Sequence, residues 1–328
     1  MNLLTIKTSS LGDVIHMLPA VTDAAKALPD LHIDWLVEES FAAIPAWHPA
    51  IAKVIPVAMR RWKKKWTACR TWQEIGAVRN TLRQRHYDLV IDSQGLVKSA
   101  LWTPWASGPS AGYDRASARE PLASLFYDRT LTVPRQQHAI DRNRQLMAQS
   151  LGYTLDNPAP DYGLRGLAAR LPCVDIRLPA RSVMGLHGTS RADKLWPTNH
   201  WIALAQALAQ DQRHLILPWG SDEERLRAED IARHASHVLV LPRLGLDTLA
   251  SLMDQAQAVV GVDTGLLHLA AALGKPGLAL YTATPPALTG AVSDRQATVP
   301  LRNLSSPADL QATAVTTELL RTLHSVAP

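Results

Sequence analysis

A polar turn, KTSSLGDVIH, follows the first apolar run of the chain and holds Lys7, Thr8, Ser9, Ser10, Gly12 and Asp13 together. Gly12 allows a second backbone or a ligand to come close. Asp13 offers a carboxylate that could take a proton from an attacking hydroxyl. The spacing Ser10-x-x-Asp13 is also that of a capping box, in which the carboxylate satisfies free N–H groups at a helix start. Base and cap both fit a carboxylate at this point of the chain.

A second stretch of this kind is AVVGVDTGLLHLAAALGKP, residues 258–276. A β-branched run ends in Asp263-Thr264-Gly265 and an apolar helical pattern follows at once. The N–H groups of Thr264, Gly265 and Leu266 would then open a helix, the arrangement that binds phosphate. His268 falls on the first turn and could add a hydrogen bond, while Asp263 taken alone would be an ordinary N-cap. Asp-Thr-Gly also marks aspartic proteases, but those need two such carboxylates in an all-β chain. In HGTSRADKLWP, residues 187–197, Thr189 and Ser190 supply hydroxyls and Lys194 a point charge suited to a diphosphate. LPWGSDEERLRAE sets Glu223 and Glu224 in a first helical turn, where they favour the dipole or could meet the hydroxyls of a sugar.

The segment RRWKKKWTACR gathers Arg60, Arg61, Lys63, Lys64, Lys65 and Arg70 around Trp62 and Trp66. A solvated charged face is the plain reading; amphipathic indoles among cations also suit an anionic lipid headgroup region. Arg119, Arg129, Arg135, His138, Arg142 and Arg144 continue the basic character across 115–144.

Over the 328 residues, 34 Lys and Arg against 29 Asp and Glu leave a charge of +5, enough to attract phosphates and too little to require nucleic acid. With 47% hydrophobic and 19% charged residues, disorder and a coiled coil are excluded. Cys69 and Cys173 stand far apart without CxxC spacing, so no zinc site or disulfide framework is expected. The opening MNLLTIKTSSLGD reads as a strand rather than a signal peptide. No window approaches 18 uncharged apolar residues, so no membrane-spanning helix is expected.

The elements that must position these residues alternate. Strand-like runs at Leu3–Ile6, Ile33–Val37, Val54–Val57 and Leu89–Asp92 are separated by helical patterns over Val14–Leu28 and Ile75–Arg85. The scheme recurs from Val183 onward, with strands near 183–186, 214–217, 238–241, 258–262 and 277–281 and helical patterns between them. This predicts an α/β chain of two doubly wound Rossmann-like domains facing a cleft, with ligands at the carboxyl ends of the strands. The expected domains are 1–165 and 180–309, joined by a linker near 160–180 rich in Pro158, Pro160, Pro172 and Pro179, with 310–328 as a final helix.

KTSSLGDVIHMLPA, VIDSQGLVKSA, AREPLASLFY, HGTSRADKLWP, LPWG and VDTGLLHLAAALGKP, in this order and at these separations, resemble the heptosyltransferase I group of glycosyltransferase family 9, over nearly the whole chain. The resemblance implies the GT-B arrangement, with the final helix returning to the first domain. It implies ADP-L-glycero-D-manno-heptose as donor, Kdo2-lipid A as acceptor, and inverting transfer without a metal or cofactor. It also implies a monomer at the cytoplasmic face of the inner membrane, peripheral to an anionic membrane surface, with no nucleic-acid partner. Residue by residue, Asp13 matches the catalytic base, and Thr189, Ser190, Lys194, Glu224, Asp263, Thr264, Gly265 and His268 match donor-binding positions. Arg60, Arg61, Lys63, Lys64, Arg119, His138 and Arg142 match the acceptor side. Two positions depart from the family: LYTATPPALTG stands where relatives carry a YGPTDP-like turn, and Ser190 where Thr is commoner. The rival readings are a sibling heptosyltransferase acting on a later core acceptor and a non-catalytic module holding a nucleotide sugar or polyanion, which would have no need of a base at Asp13.

Overall fold

A computed structural model describes residues 1–156, 159–172 and 174–326; Pro158 of the expected linker and Cys173 lie outside the described residues. The chain divides into two units, Met1–Gly163 and Leu164–Pro328.

The first unit runs β1 (Asn2–Ile6), α1 (Leu11–Ile15), α2 (Leu18–Ala27), β2 (His32–Glu38), α3 (Ala43–Ala46), β3 (Ile51–Val57), α4 (Met59–Lys64), α5 (Cys69–Gln84), β4 (Leu89–Asp92), α6 (Val97–Ala100), β5 (Ser110–Tyr113), β6 (Arg129–Leu131) and α7 (Ala139–Leu151). The second runs β7 (Ser182–Leu186), α8 (Thr198–Gln210), β8 (His214–Leu217), α9 (Asp222–His234), β9 (Val238–Val240), α10 (Leu246–Gln255), β10 (Ala258–Val262), α11 (Gly265–Ala272), β11 (Gly277–Leu280), β12 (Arg302–Leu304) and α12 (Ala312–Val326). Each sheet is parallel, ordered β3-β2-β1-β4-β5-β6 in one unit and β9-β8-β7-β10-β11-β12 in the other. The two orders are the same doubly wound order, which reverses direction between the first and fourth strands of each unit.

Sheets covered on both faces favour strands that are mostly apolar, and β1 and β10 are such runs: Leu3, Leu4 and Ile6 are fully buried, as are Val259, Val260 and Val262. Close approach of β11 to β10 requires Gly277, whose φ is +150° and where a Cβ would lie 1.7 Å from the Val259 carbonyl oxygen.

One expectation needs correction. The helical pattern over 14–28 is two helices, because Pro19 favours a new helix start and opens α2. The short strands β5, β6 and β12 carry too few residues to show a period. The final helix packs on the core of the second unit. Val315, Leu319 and Leu323, four residues apart, line one face of α12 and are buried in the core that also holds Trp201, Val260 and Leu278. Trp196 Nε1 donates to the Leu310 carbonyl at 2.8 Å, fastening the entry to that helix.

Candidate active site

In the first unit the strand order reverses between β1 and β4, and the turns after these two strands lie side by side. The Gln94 side-chain carbonyl accepts from the Thr8 and Ser9 N–H groups at 3.1 and 3.2 Å, so the turn after β4 shapes the turn after β1. Helix α1 then starts, with Asp13 in its first turn. Its Oδ2 accepts from the Ser10 N–H at 2.8 Å and from Ser10 Oγ at 3.1 Å. The capping geometry is therefore present, but it falls on one oxygen. Among the described residues no hydrogen bond reaches Oδ1, and Asp13 is only half-buried.

Beneath that turn lies a charged network. Lys7 is buried, and its Nζ donates to the Ser93 carbonyl at 2.7 Å and to Asn143 Oδ1 at 3.2 Å. Burial pushes the Lys7 ammonium below the ordinary lysine value; the charges of Asp13 and Asp92 oppose this, and those of Arg142 and Arg119 reinforce it. Asp92 is pushed up by burial, although Tyr127 OH, the Gln94 N–H and Ser99 Oγ all donate to it. Arg142 stacks 4.7 Å over the Tyr113 ring and donates to the Ser117 carbonyl at 2.6 Å. His138 caps α7, its Nδ1 accepting from the Ile140 N–H at 3.2 Å, and meets His16 edge-on at 5.5 Å. Asp13, Arg119 and Arg142 thus surround Lys7 electrically, while His138 joins the same region through His16, whose carbonyl accepts from Asn143.

The basic segment is α4, at the carboxyl end of β3. The Arg60 N–H donates to Glu38 Oε1 at 3.2 Å, and its guanidinium lies 5.0 Å over the Phe41 ring. Arg61 is held by Glu39 at 3.0 Å and Glu74 at 2.8 Å. Trp62 is buried against Trp102, and its Nε1 donates to Glu74 at 2.6 Å. That bond, together with Arg61 and Arg70, holds the Glu74 carboxyl down at about 2. Trp62 therefore belongs to the core and not to a lipid boundary, whereas Trp66, Lys63 and Lys64 are exposed.

In the second unit the reversal lies between β7 and β10, and the two stretches singled out from sequence meet there. Thr189 Oγ1 donates to the Asp263 carbonyl at 3.0 Å, and Lys194 Nζ lies 2.6 Å from Asp263 Oδ2. His268 Nε2 is 3.9 Å from Asp263 Oδ1. The N-cap of α11 is Thr264 rather than Asp263, because Asp263 stands one residue earlier with its carboxylate turned to Lys194. Gly265 then begins the helix. Ser190 is exposed in the same turn, and among the described residues no hydrogen bond of its side chain links it to this cluster. Glu224 caps α9, accepting from Gly220 N–H at 2.7 Å, and presses on the turn after β7: a Cβ at Gly188 would lie 2.3 Å from its Oε1. The departing segment after β11 joins in through Thr282, whose hydroxyl donates to the Asp193 carbonyl at 2.9 Å.

From sequence, Lys7, Gly188 and Thr282 stand in stretches already singled out but receive no individual role, and Gln94 and Asn143 receive none either. SQG at the end of β4 was the available signal, since a polar run at a carboxyl end next to β1 borders the ligand crevice.

Hydroxyls, a cation and a helix start at one switch point suit a diphosphate, and a carboxylate with a free oxygen at the other suits proton removal; on two sheets of this order they define a glycosyltransferase of the GT-B class. Residues 75–319 match Glycosyltransferase family 9 (heptosyltransferase). The chain belongs to that family and is a glycosyltransferase. It is 49% identical over 300 residues to lipopolysaccharide heptosyltransferase 1 of Pseudomonas aeruginosa, covering 90% of this chain and 82% of that one. The solved structure of the E. coli heptosyltransferase WaaC with ADP is similar at 41% identity and a TM-score of 0.88, with all of both chains covered. The same E. coli protein with ADP-2-deoxy-2-fluoro heptose gives a TM-score of 0.85 over 99% of each chain.

Proposed function

We propose that this chain transfers L-glycero-D-manno-heptose from ADP-heptose to the Kdo of Kdo2-lipid A, with inversion and without a metal, as a monomer at the cytoplasmic face of the inner membrane. The observation that carries the reading is the cluster of Lys194, Asp263, Thr189 and the start of α11 at one switch point. Its pattern fits the diphosphate and sugar of a nucleotide donor, and one relative, the E. coli heptosyltransferase WaaC, has been solved with ADP and with ADP-2-deoxy-2-fluoro heptose.

The chemistry is a single displacement. The acceptor hydroxyl oxygen attacks the anomeric carbon, the bond from that carbon to the phosphate oxygen breaks, and ADP leaves with the electron pair. Asp13 Oδ1 takes the hydroxyl proton, and one base opposite the leaving group is all that inversion requires. The growing charge on ADP meets Lys194 and the N–H groups of Thr264, Gly265 and Leu266, which act as preorganised positive potential. Asp263, His268 and Glu224 supply acceptors and donors for heptose hydroxyls. On the acceptor side, Arg60, Lys63, Lys64, Arg119 and Arg142 offer cations, and His138 a ring N–H, to the carboxylates and phosphates of a Kdo-bearing lipid.

The test is incubation with ADP-heptose and deacylated Kdo2-lipid A, followed by mass spectrometry. Release of ADP with a product heavier by one heptose is expected. Transfer only to an acceptor that already carries a heptose would identify a later step, and ADP-heptose binding without transfer would identify a binding module.

A further inference from the structure

Residues Pro121–Phe126, the sequence PLASLF, form a 3₁₀ turn of six residues that packs on α6. Side chains three apart eclipse in such a helix. On the inner side Ala123 is buried with Ala100 and Tyr127, and Phe126 packs against them. On the outer side stand Leu122 and Leu125, 63% and 78% exposed, and Leu101 at the end of α6 is 50% exposed. Leu125 is the most exposed large apolar side chain among the described residues. The turn is thus apolar on both sides and covered on one.

Around it three exposed cations stand against two carboxylates. Lys98 on α6, Arg115 and Arg119 are all exposed. The acidic neighbours are engaged: Glu120 accepts from the Val97 N–H at 2.7 Å, and Asp114 from the Ser117 N–H and the Thr132 hydroxyl. An apolar tip flanked along the chain and on α6 by an excess of exposed cations is the pattern of a segment that dips into an interface whose headgroups are anionic.

We propose that Leu122 and Leu125 form a wedge that enters the headgroup–acyl boundary of an anionic bilayer, with Leu101, Lys98, Arg115 and Arg119 resting on its surface. This deepens the reading of a lipid-borne acceptor by naming the part of the chain that meets the lipid. The area is small, so binding is weak and reversible, as suits an enzyme that must move between acceptors.

The test is flotation of the full chain with phosphatidylglycerol-containing vesicles, in the absence of donor and acceptor. The wild type is expected to float with these vesicles and far less with phosphatidylcholine alone. The double variant L122S/L125S should lose partitioning on the order of tenfold to a hundredfold, the effect of withdrawing two leucines from an apolar environment. Turnover on a deacylated, water-soluble acceptor should be unchanged, which shows that the variant is folded. That arm also stands apart from the transferase reading, since vesicle binding can succeed where transfer fails, and the reverse. Equal flotation of wild type and variant overturns the proposal, as does equal binding to both lipid compositions. A wild-type dimer that L122S/L125S converts to a monomer overturns it too, by assigning the leucines to a second copy of the chain.

Discussion

Lys194 Nζ lies 2.6 Å from Asp263 Oδ2, in a pair whose side chains are 19% and 10% exposed. The cation best placed for a diphosphate is thus held by the carboxylate that precedes the α11 start. The pair fixes a long, flexible ammonium beside the helix N-terminus, so little rotamer freedom remains to be lost when a phosphate approaches.

Lys194→Ala should therefore weaken ADP as an inhibitor and lower kcat/KM together. A charge-assisted contact to phosphate is worth about 1.5–3 kcal/mol, or roughly 10- to 150-fold. Asp263→Asn keeps the cation but releases it, and should leave ADP affinity less affected than heptose-dependent turnover. An ADP inhibition constant unchanged by Lys194→Ala would put this lysine outside the donor site.

Asp13 can be separated into its two roles. Asparagine retains a carbonyl oxygen for Ser10 and cannot act as a base, so Asp13→Asn should keep the melting temperature while turnover falls on the order of 10² to 10⁴. Asp13→Ala also removes both Ser10 contacts and should cost an additional 0.5–2 kcal/mol of stability, roughly the worth of a cap. Full turnover per folded molecule in the asparagine variant would leave Asp13 as a cap alone.

Gly188→Ala tests how the turn after β7 and the start of α9 are joined. The new methyl would meet Glu224 Oε1 at 2.3 Å and Cδ at 2.4 Å. Glu224 must then leave the Gly220 and Ser221 N–H groups that it caps. The expected result is a higher donor KM with the acceptor KM unaltered, and a stability loss of about 1 kcal/mol. A change in acceptor KM alone would be inconsistent with this placement.

His187 gives the second unit an acid limit. It is fully buried at the end of β7, edge-on to Trp201, and is pushed down from 6.5 to about 4, by burial first and then by the charge of Arg227. Between these values the unfolded chain binds a proton that the folded chain refuses. Stability is therefore complete above about pH 6.5 and is lost as the pH falls toward 4, by at most about 3 kcal/mol. Urea titrations of wild type and His187→Gln from pH 4 to 7 should show a shallower slope in the variant. Equal slopes would assign the acid sensitivity to other groups.

The strand alternation and both switch-point turns were legible because a parallel sheet writes each buried strand as an unbroken apolar run and each site as a polar turn after it. KTSSLGD, HGTS and VDTG stand out for that reason. The network of Lys7, Gln94 and Asn143 was not legible, because its members are 49 to 136 residues apart and meet only once the sheet is ordered. The direction of α12 was hidden as well: the spacing of Val315, Leu319 and Leu323 reveals an apolar stripe but not which core receives it. In RRWKKKW the charges read as one cluster, yet the fold divides it, sending Trp62 and Arg61 to internal partners and leaving Lys63, Lys64 and Trp66 outside.

That division sets the last prediction. Because Arg61 holds Glu39 and Glu74, replacing it would disturb α4 itself, so the informative variant is Lys63→Gln with Lys64→Gln. Each cation near an anionic acceptor contributes at most roughly 1 kcal/mol, and salt screens the attraction over about 8–10 Å. The double variant should therefore raise acceptor KM by up to about 30-fold while donor KM stays the same. Wild-type acceptor affinity should fall as salt rises, and the variant's should fall much less. Trp66, two-thirds exposed beside these lysines, is the reporter: its fluorescence should respond to acceptor and not to donor, whereas buried Trp62 should report neither. An unaltered acceptor KM with an unaltered salt slope would mean that the two lysines only keep α4 soluble. The acceptor would then be held by the groups around Lys7, that is by Arg119, His138 and Arg142, where the same salt titration on Arg119→Gln becomes the decisive measurement.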